Sequence, residues 1–585
     1  MPATRLSGLT LSGFQVFADR THIPLKPLTL MFGPNSSGKS AVSDALRIVF
    51  SMFNPTALDV VEQSTPQNSK LYRDRALLDN EFYLLRPHWR RTNASGNPYA
   101  PCMEIDVEIE CSSRRSLAKD LGAKNYRVGH LSVLTSHQLT QSQSQHAVGF
   151  SQDNRHDTYA SSKISQTGVP DGADSESTGF DRCHSTLAFE INGSQLISAN
   201  TSGDVVVNLE HDSRFFAEQR AMFEAACEAY PEYFRIEDGL LIVSSIGGLS
   251  LWDFGRPELE FPGAEELAFV REGFVDDELL LSIANRLRKS WGIIATFVHS
   301  RFQELQWAFQ HVHASRGIPS REELTFLRFP ESLGADFGNQ KLFRQDGPYA
   351  SIAFSLASGS RGLERYDRST HLGKIGRSEK GGGNPGQKVN EWLTGYLFRD
   401  RGYRLGFNRW DLEYSTDLED ERKRKDEVRP LLVELLIRDE KGVALEFRQV
   451  GSGIGYVFPV LAALAEAPNL AWIEQPELHL HPALQCELGD VVLDAMNEGV
   501  GQCIVETHSE HFLLRILRRI RQSCSQKKPV KELRWDPNDL SVLYFEPRMD
   551  GSSTVRRLRV DVDGDFLDRW PDGFFSERDK ELFDE

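Results

Sequence analysis

The strongest single constraint on this chain is the run Gly33-Pro34-Asn35-Ser36-Ser37-Gly38-Lys39-Ser40, which fits the pattern G-x-x-x-x-G-K-[ST] at every fixed position. Glycine at the first and sixth positions lets the backbone turn sharply, so that its N–H groups can surround a β-phosphate. The lysine then reaches the β- and γ-phosphates, and the hydroxyl of the last serine is a ligand for Mg²⁺. The alternative is a chance Gly/Ser loop.

The flanking residues place this loop between a strand and a helix, which argues against chance. Leu28-Thr29-Leu30-Met31-Phe32 is an apolar run typical of a buried strand. After the loop, apolar residues recur with the period of a helix that has one buried face; they are Val42, Ala45, Leu46, Val49 and Phe50. The N-terminus of that helix points its dipole at the phosphates. We therefore predict that Gly33 through Ala41 bind a nucleotide.

Length and composition are those of a globular protein. The 585 residues correspond to three or four domains if a domain has about 150 residues. The net charge is 67 − 84 = −17, which argues against a surface made for nucleic acid but not against a local basic groove. Apolar stretches are shorter than the roughly 18 residues of a membrane span. The N-terminus lacks a signal-peptide pattern, and the seven cysteines form no CxxC pair. We expect a cytoplasmic protein without membrane contact.

A second apolar strand pattern ends in a carboxylate far along the chain. Leu470-Ala471-Trp472-Ile473 precedes Glu474, and the carboxyl end of a central strand is where a second Mg²⁺-holding group is needed. Its separation from the loop lysine is 474 − 39 = 435 residues, so the fold must bring the two strands together. His479 and His481 form an H-x-H pair, but a turn before a helix that opens with Pro482 explains it better than a metal site.

Two further runs contain candidate site residues. Cys503-Ile504-Val505-Glu506 is another buried-strand pattern, which delivers His508 to a strand end within reach of a γ-phosphate or an attacking water; a structural histidine is the alternative. Gly451-Ser452-Gly453 opens a helix, and such an N-terminus favours anions. One nucleotide hardly needs two such sites from one subunit, so this one would serve a partner's nucleotide. A plain helix cap is the alternative.

The remaining sequence divides by composition. Residues 112–190 are rich in Ser, Gln, His, Asp and Thr, which predicts a polar, mobile insertion that adds little to the core. Residues 191–390 have mostly helical patterns and a Gly-rich linker, which predict a helical arm or cap. These segments separate an N-terminal lobe with the phosphate loop, at 1–111, from a C-terminal lobe with Glu474, at 391–585.

In this order, the motifs resemble the ATP-binding head of the ABC-type ATPases that include the SMC, RecF and OLD proteins. The resemblance is closest to bacterial AAA-family (OLD-like) ATPases of the kind found in anti-phage defence systems. It rests on GPNSSGKS, on IEQPELHLHP at 473–482 and on ETHSEH at 506–511, and the tail WPDGFF at 570–575 also fits. It implies an α/β fold: a two-lobed P-loop ATPase head with a mixed β-sheet core, a helical insertion and a polar inserted segment.

The resemblance also implies how the site is assembled. Two heads would dimerise head to tail around two ATP molecules, as a dimer or within a larger oligomer. Lys39 and Ser40 would face the signature residues of the partner, Gly451-Ser452-Gly453 in each copy. Ser40 and Glu474 would hold Mg²⁺, the latter through water, and His508 would be the switch histidine.

Two features of the site stay open or depart from the family pattern. A glutamine from a loop after the first helix should complete the site, and Gln63 and Gln67 both fit. Many ABC ATPases have a water-activating glutamate after the Mg²⁺ acid, but here the residue is Gln475, whose carboxamide can orient water and cannot accept its proton. We expect slow hydrolysis, assisted by Glu477 or His508, and a long-lived ATP-closed dimer.

Two hypotheses for the biological role follow. The run Asp561-Val562-Asp563-Gly564-Asp565 imitates nuclease metal ligands, but a hairpin with an Asp-Gly turn explains it better, and we expect no nuclease domain in this chain. The first hypothesis is a sensor or scaffold in anti-phage defence that controls a separate, co-encoded effector nuclease or toxin. The second is a RecF- or SMC-like repair or chromosome-maintenance ATPase that binds DNA directly. Its basic groove would use Arg515, Arg518, Arg519, Arg521, Lys527 and Lys528, which could equally be a solvated helix face.

Overall fold

Three β-sheets and the helices packed against them make up the part of the chain that the computed structural model describes. The described residues are 4–52, 90, 102–111, 130–141, 180–191, 194–200, 205–208, 220–231, 234–243, 282, 296–305, 309–328, 348–357, 384–411, 431–525 and 535–571. The predicted α/β fold with a mixed sheet is confirmed, because the central sheet combines parallel and antiparallel neighbours.

Most of the strands are short and the helices are of moderate length. The strands are β1 (Thr4–Ser12), β2 (Thr21–Pro24), β3 (Leu28–Phe32), β4 (Cys102–Cys111), β5 (His130–Gln141), β6 (Phe180–Ile191), β7 (Ser194–Asn200), β8 (Val205–Asn208), β9 (Phe234–Glu237), β10 (Leu240–Val243), β11 (Phe309–Val312), β12 (Thr325–Arg328), β13 (Arg404–Asp411), β14 (Leu431–Arg438), β15 (Ala444–Leu445), β16 (Leu470–Glu474), β17 (Cys503–Glu506), β18 (Leu540–Pro547) and β19 (Ser553–Leu558). The helices are α1 (Lys39–Met52), α2 (Arg220–Ala229), α3 (Pro348–Ala357), α4 (Pro385–Trp392), α5 (Ser452–Ala465), α6 (Pro482–Glu498) and α7 (Glu510–Ser525). None of the helices within the described ranges has both the length and the apolar character needed to cross a membrane.

The six-stranded sheet brings together strands from distant parts of the sequence. Its order is β11-β16-β17-β3-β18-β19, and all neighbours are parallel except β18 and β19. Nearly every residue of β3, β16 and β17 is buried, as expected for parallel strands covered on both faces. The carboxyl ends of β3, β16 and β17 therefore lie side by side at one edge of the sheet.

The other two sheets are antiparallel. The nine-stranded sheet has the order β2-β1-β4-β5-β6-β7-β8-β10-β9. The four-stranded sheet has the order β12-β14-β13, with β15 paired to the end of β14.

The six-stranded sheet separates two hydrophobic cores. Leu470 and Trp472 of β16 pack on the side of α1 and the nine-stranded sheet, whereas Ala471 and Ile473 pack on the side of α5, α6 and α7. This alternation follows from the two-residue period of a strand. The apolar stripe predicted for α1 is buried in the first core, so the loop before that helix is anchored.

Two expectations for the middle of the chain differ from the structure. The described parts of segment 112–190, predicted to be a polar insertion that adds little to the core, do contribute to it: β5 pairs with β4 and β6, and its Leu131 and Val133 are fully buried. The segment 191–390, expected to be mainly helical, contains β7 to β12 besides its helices. The physical reason is the same in both, because alternating or very short strands contribute few apolar residues to the composition.

Candidate functional site

Loops from four strands meet at the carboxyl edge of the six-stranded sheet. Strand β16 places Glu474 opposite Glu506 of β17, and Glu506 lies opposite Met31 of β3, directly before the phosphate loop. Only β17 stands between β3 and β16, so the two are about 10 Å apart at a spacing of 4.8 Å per strand. The fold thus brings together the two strands that 435 residues separate in the sequence.

The phosphate loop requires glycine at both ends. Gly33 and Gly38 have φ values of +145° and +100°, which other residues rarely adopt. A Cβ at Gly33 would lie 2.6 Å from the carbonyl oxygen of Phe545, and one at Gly38 would lie 2.4 Å from Val16 Cγ2. The predicted binding residues divide by exposure: Pro34, Asn35, Ser36 and Ser40 are exposed, whereas Ser37, Lys39 and Ala41 are buried.

Lys39 begins α1 and folds back into the loop. Its Nζ donates to the carbonyl oxygens of Gly33 (2.9 Å) and Pro34 (2.8 Å) and lies 3.6 Å from Glu506 Oε1. Burial lowers the pKa of Lys39, and the negative charge of Glu506 partly offsets this. Phosphate oxygens are hydrogen-bond acceptors that can replace the two carbonyls. The Lys39 ammonium therefore lies next to the position where it would bind a phosphate.

The Glu474 carboxylate is held by hydrogen bonds from β11 and from the loop that follows β11. Its Oε1 accepts a hydrogen bond from His311 Nε2 at 2.8 Å, and its Oε2 accepts one from the N–H of Ala314 at 3.0 Å. Burial acts to raise the pKa of the Glu474 carboxyl, but hydrogen bonds from His311, His313 and the Ala314 N–H outweigh it and hold the pKa well below its usual range. The group is therefore ionised, as a ligand for Mg²⁺ must be.

The two candidate site residues that follow Glu474 in the sequence, Gln475 and Glu477, have different surroundings. Gln475 is half-buried at φ +44°, and its N–H donates to the carbonyl oxygen of Glu506 at 2.7 Å. Glu477 is buried, and its Oε1 accepts a hydrogen bond from the backbone N–H of His508 at 2.7 Å. Burial raises the pKa of Glu477. Its carboxylate thus holds the loop that carries His508.

His508 follows β17 after one intervening residue and lies near Lys39. Burial and the nearby ammonium lower the pKa of His508, so its imidazole is neutral. Its Nε2 is buried and has no hydrogen-bond partner in the part of the chain that the structure describes. Burial also raises the pKa of Glu506, which Lys39 opposes.

The signature residues lie at the surface. Helix α5 begins at Ser452 after the N-cap residue Gly451, and both residues are exposed. Among the described residues, no side chain caps this helix. Gly453 packs closely on the segment that follows Glu474, because a Cβ there would lie 3.3 Å from Leu480 Cδ2. As expected, α6 opens with Pro482.

Residues 313–316 contain a site feature that the motifs did not indicate. Arg316 donates four hydrogen bonds to carbonyl oxygens: from Nε to Tyr456 of α5 (2.9 Å), from Nη1 to Glu474 (2.8 Å) and His313 (3.2 Å), and from Nη2 to Gln475 (2.8 Å). This side chain ties the signature helix to the end of β16. The place beside Glu474 is thus occupied by the loop after β11. The two glutamines expected there, Gln63 and Gln67, lie outside the described residues.

Two parts of the chain match known families. Residues 394–515, which include α5, Glu474 and His508, match the family described as "AAA domain, putative AbiEii toxin, Type IV TA system". Residues 536–584 match a family described as a protein of unknown function (DUF3696). The chain has no match among curated proteins. Residues 394–515 are therefore similar to an AAA domain, and the central sheet joins the distant phosphate loop to this segment.

The chain is also similar to solved SMC head domains. The head from Thermotoga maritima is 10% identical with a TM-score of 0.32, over 95% of this chain and 100% of that chain. The Smc head with an extended coiled coil from Pyrococcus furiosus, bound to the C-terminal domain of ScpA, is 10% identical with a TM-score of 0.33, over 95% and 96%.

Proposed function

We propose that this chain binds ATP with Mg²⁺ at the carboxyl edge of the six-stranded sheet and hydrolyses it slowly. The observation that carries the proposal is a set of buried polar atoms around the phosphate loop that have no hydrogen-bond partner among the described residues: Ser37 Oγ, Glu477 Oε2, Glu506 Oε2 and His508 Nε2. Each such atom costs about 1–3 kcal/mol when it stays unsatisfied. A polar ligand at this edge would satisfy them, because phosphate oxygens accept hydrogen bonds and water molecules donate to carboxylates.

In this proposal each residue near the phosphates has one role. Backbone N–H groups of residues 33–40 bind the β-phosphate, and Lys39 turns from its two carbonyl acceptors to the β- and γ-phosphates. Ser40 and Glu474 would hold Mg²⁺, which neutralises charge on the phosphates. Neutral His508 can donate from Nε2 to the γ-phosphate or orient the attacking water.

Slow hydrolysis follows from the side chains that face the water. Gln475 can orient a water molecule but cannot take its proton. Glu477 already accepts the N–H of His508, which supports a role in holding that residue. A subunit without a strong general base keeps its ATP for longer, so the ATP-bound form becomes the signalling state.

The exposed signature residues support a head-to-tail dimer. Gly451 and Ser452 begin α5 at the surface, where the helix dipole favours an anion. In a dimer each copy would present Gly451-Ser452-Gly453 to the γ-phosphate held by the partner's Lys39. ATP is then shared by two subunits, and its hydrolysis separates them.

For the biological role, we propose an ATP-dependent sensor or scaffold in anti-phage defence that acts on a separate, co-encoded effector. The description of the family that residues 394–515 match names a toxin of a type IV toxin–antitoxin system, which supports this role. Direct DNA binding through α7 has less support, because three of its four arginines form ion pairs within the chain: Arg515 and Arg519 bind Asp490, and Arg521 binds Asp565, whereas Arg518 is exposed. The run at 561–565 is a turn in which Asp561 Oδ1 accepts the N–H groups of Asp563 and Asp565.

Mass photometry of the purified protein, with and without ATP and Mg²⁺, tests both parts of the proposal. The wild type should form dimers or larger assemblies with ATP, and Lys39→Ala should not. Lys441→Ala, an exposed lysine in a distant turn, is the matched control and should behave as the wild type. A co-purifying protein in a stable complex supports the effector role. Bare dimers whose DNA affinity falls steeply with salt would instead support the repair role.

A further inference from the structure

A relay of three side chains connects the phosphate-loop helix to Glu474. Arg47 lies on α1, and its Nη2 contacts His311 Nδ1 and lies 3.1 Å from His313 Nε2. The other ring nitrogen of His311, Nε2, lies 2.8 Å from Glu474 Oε1. The side chain of His311 is nearly buried, at 8% exposure, so this arrangement is shielded from solvent.

The chemistry of the relay fixes the tautomer of His311. A guanidinium has donors and no acceptor, so the Nδ1 that faces Arg47 must accept. In the neutral imidazole the hydrogen is then on Nε2, which donates to the carboxylate of Glu474. Together with the N–H of Ala314 on Oε2, this hydrogen bond occupies one acceptor position on each carboxylate oxygen and leaves the others for the metal side.

We propose that His311 is a positioning residue for Mg²⁺: it holds the Glu474 carboxylate in the orientation that the metal site uses, and Arg47 fixes the tautomer that makes this possible. The inference rests on the proposed function, because it concerns the same ATP site. It adds that β11, which is distant in the sequence from the phosphate loop and from Glu474, controls the affinity of the site for the metal.

A metal ion bound directly by the histidines is the competing interpretation. Nitrogen atoms of His311 and His313 and an oxygen of Glu474 lie within 4.8 Å of one another, and such a set suits Zn²⁺. A metal at His311 Nε2 needs the lone pair that the hydrogen occupies in the present tautomer, and the Arg47 cation nearby opposes a second positive charge. The observed contacts therefore favour the positioning role.

Mn²⁺ binding to the full-length protein with a non-hydrolysable ATP analogue, followed by electron paramagnetic resonance, tests the inference without measuring turnover. His311→Ala should weaken Mn²⁺ binding by about 10–100-fold, the usual cost of removing a group that orients a metal ligand. His311→Gln, whose amide can donate, should recover part of this loss. Lys441→Ala, which changes an exposed lysine in a distant turn, is the control and should leave Mn²⁺ affinity unchanged.

The outcomes separate this inference from the proposed function. Nucleotide binding in EDTA should be equal in the wild type and both His311 variants, since the phosphate loop is intact; a wild type that binds no nucleotide overturns the proposed function itself. Unchanged Mn²⁺ affinity in His311→Ala overturns only the positioning role. So does saturable, micromolar Zn²⁺ binding to the nucleotide-free wild type that His313→Ala abolishes. Equal thermal unfolding midpoints in EDTA show that the variants fold.

Discussion

Replacing Glu477 by glutamine and by alanine separates two roles for this buried carboxylate. Its Oε1 accepts the N–H of His508 at 2.7 Å, and a hydrogen bond to a charged group contributes about 1.5–3 kcal/mol. Glu477→Ala leaves that N–H without its acceptor and should lower the free energy of unfolding by at least about 2 kcal/mol. If this energy also positions His508, turnover should fall by about 10–100-fold, at 1.36 kcal/mol per tenfold change.

Glu477→Gln should have a much smaller effect. The amide keeps an oxygen that can accept the His508 N–H. It also removes a buried negative charge, which is unfavourable at this position because burial raises the pKa of Glu477. Turnover should stay within a few-fold of the wild type, and stability should be equal or higher.

Steady-state ATP turnover and urea unfolding measure these effects, with the exposed Glu446→Gln as control. A folded Glu477→Gln variant that loses the 10²–10⁴-fold typical of a general base would refute this assignment and make Glu477 the base.

Three further sets of changes test the site and the fold. Gly38→Ala should lower the free energy of unfolding by about 1–3 kcal/mol and abolish ATP binding, because φ is +100° and the new Cβ would lie 2.4 Å from a neighbouring side chain. Gly551→Ala is the control for backbone strain alone, because φ is +74° there and no atom would lie within 4 Å of the new Cβ. Gln475→Glu should raise ATP turnover by about 10²-fold, and Glu474→Gln should remove the dependence of turnover on the metal ion. Turnover that is unchanged in both variants would contradict the site assignment. Burial lowers the pKa of His137 to about 3, so below about pH 6.5 the unfolded chain binds a proton that the folded chain does not, and stability should fall by about 1.4 kcal/mol per pH unit. His137→Asn should lose this part of the slope in urea titrations at successive pH values.

The parts of the site that the sequence predicts well are those with local constraints. The phosphate loop needs its glycines for conformational reasons, and the apolar runs before Glu474 and His508 are long enough to mark buried strands. By contrast, β11 has four residues with only two apolar side chains, and Arg316 acts on backbone carbonyls, which every residue has. No residue pattern encodes such partners.

The strands of the middle region were missed for different reasons. The turn Asp238-Gly239 joins β9 to β10, and both residues have positive φ, of 49° and 77°. An Asp-Gly pair between apolar residues is a strong hairpin signal that the overall helical pattern obscured. For β5, polar residues alternate with the buried Leu131 and Val133, so that segment composition hides the strand.

The order of strands in the central sheet constrains when the protein can become active during its synthesis. Strand β3, which leads into the phosphate loop, is made early, yet its neighbour β17 pairs Cys503 with Leu28 across 503 − 28 = 475 residues. At about 5–20 residues per second, a ribosome needs roughly 25–95 s to make the partner strand. Until then the apolar β3 has neither sheet neighbour. A nascent or truncated chain that ends before β17 therefore exposes an unpaired strand and holds no assembled nucleotide site, so ATP-dependent assembly begins only once the C-terminal part has been made.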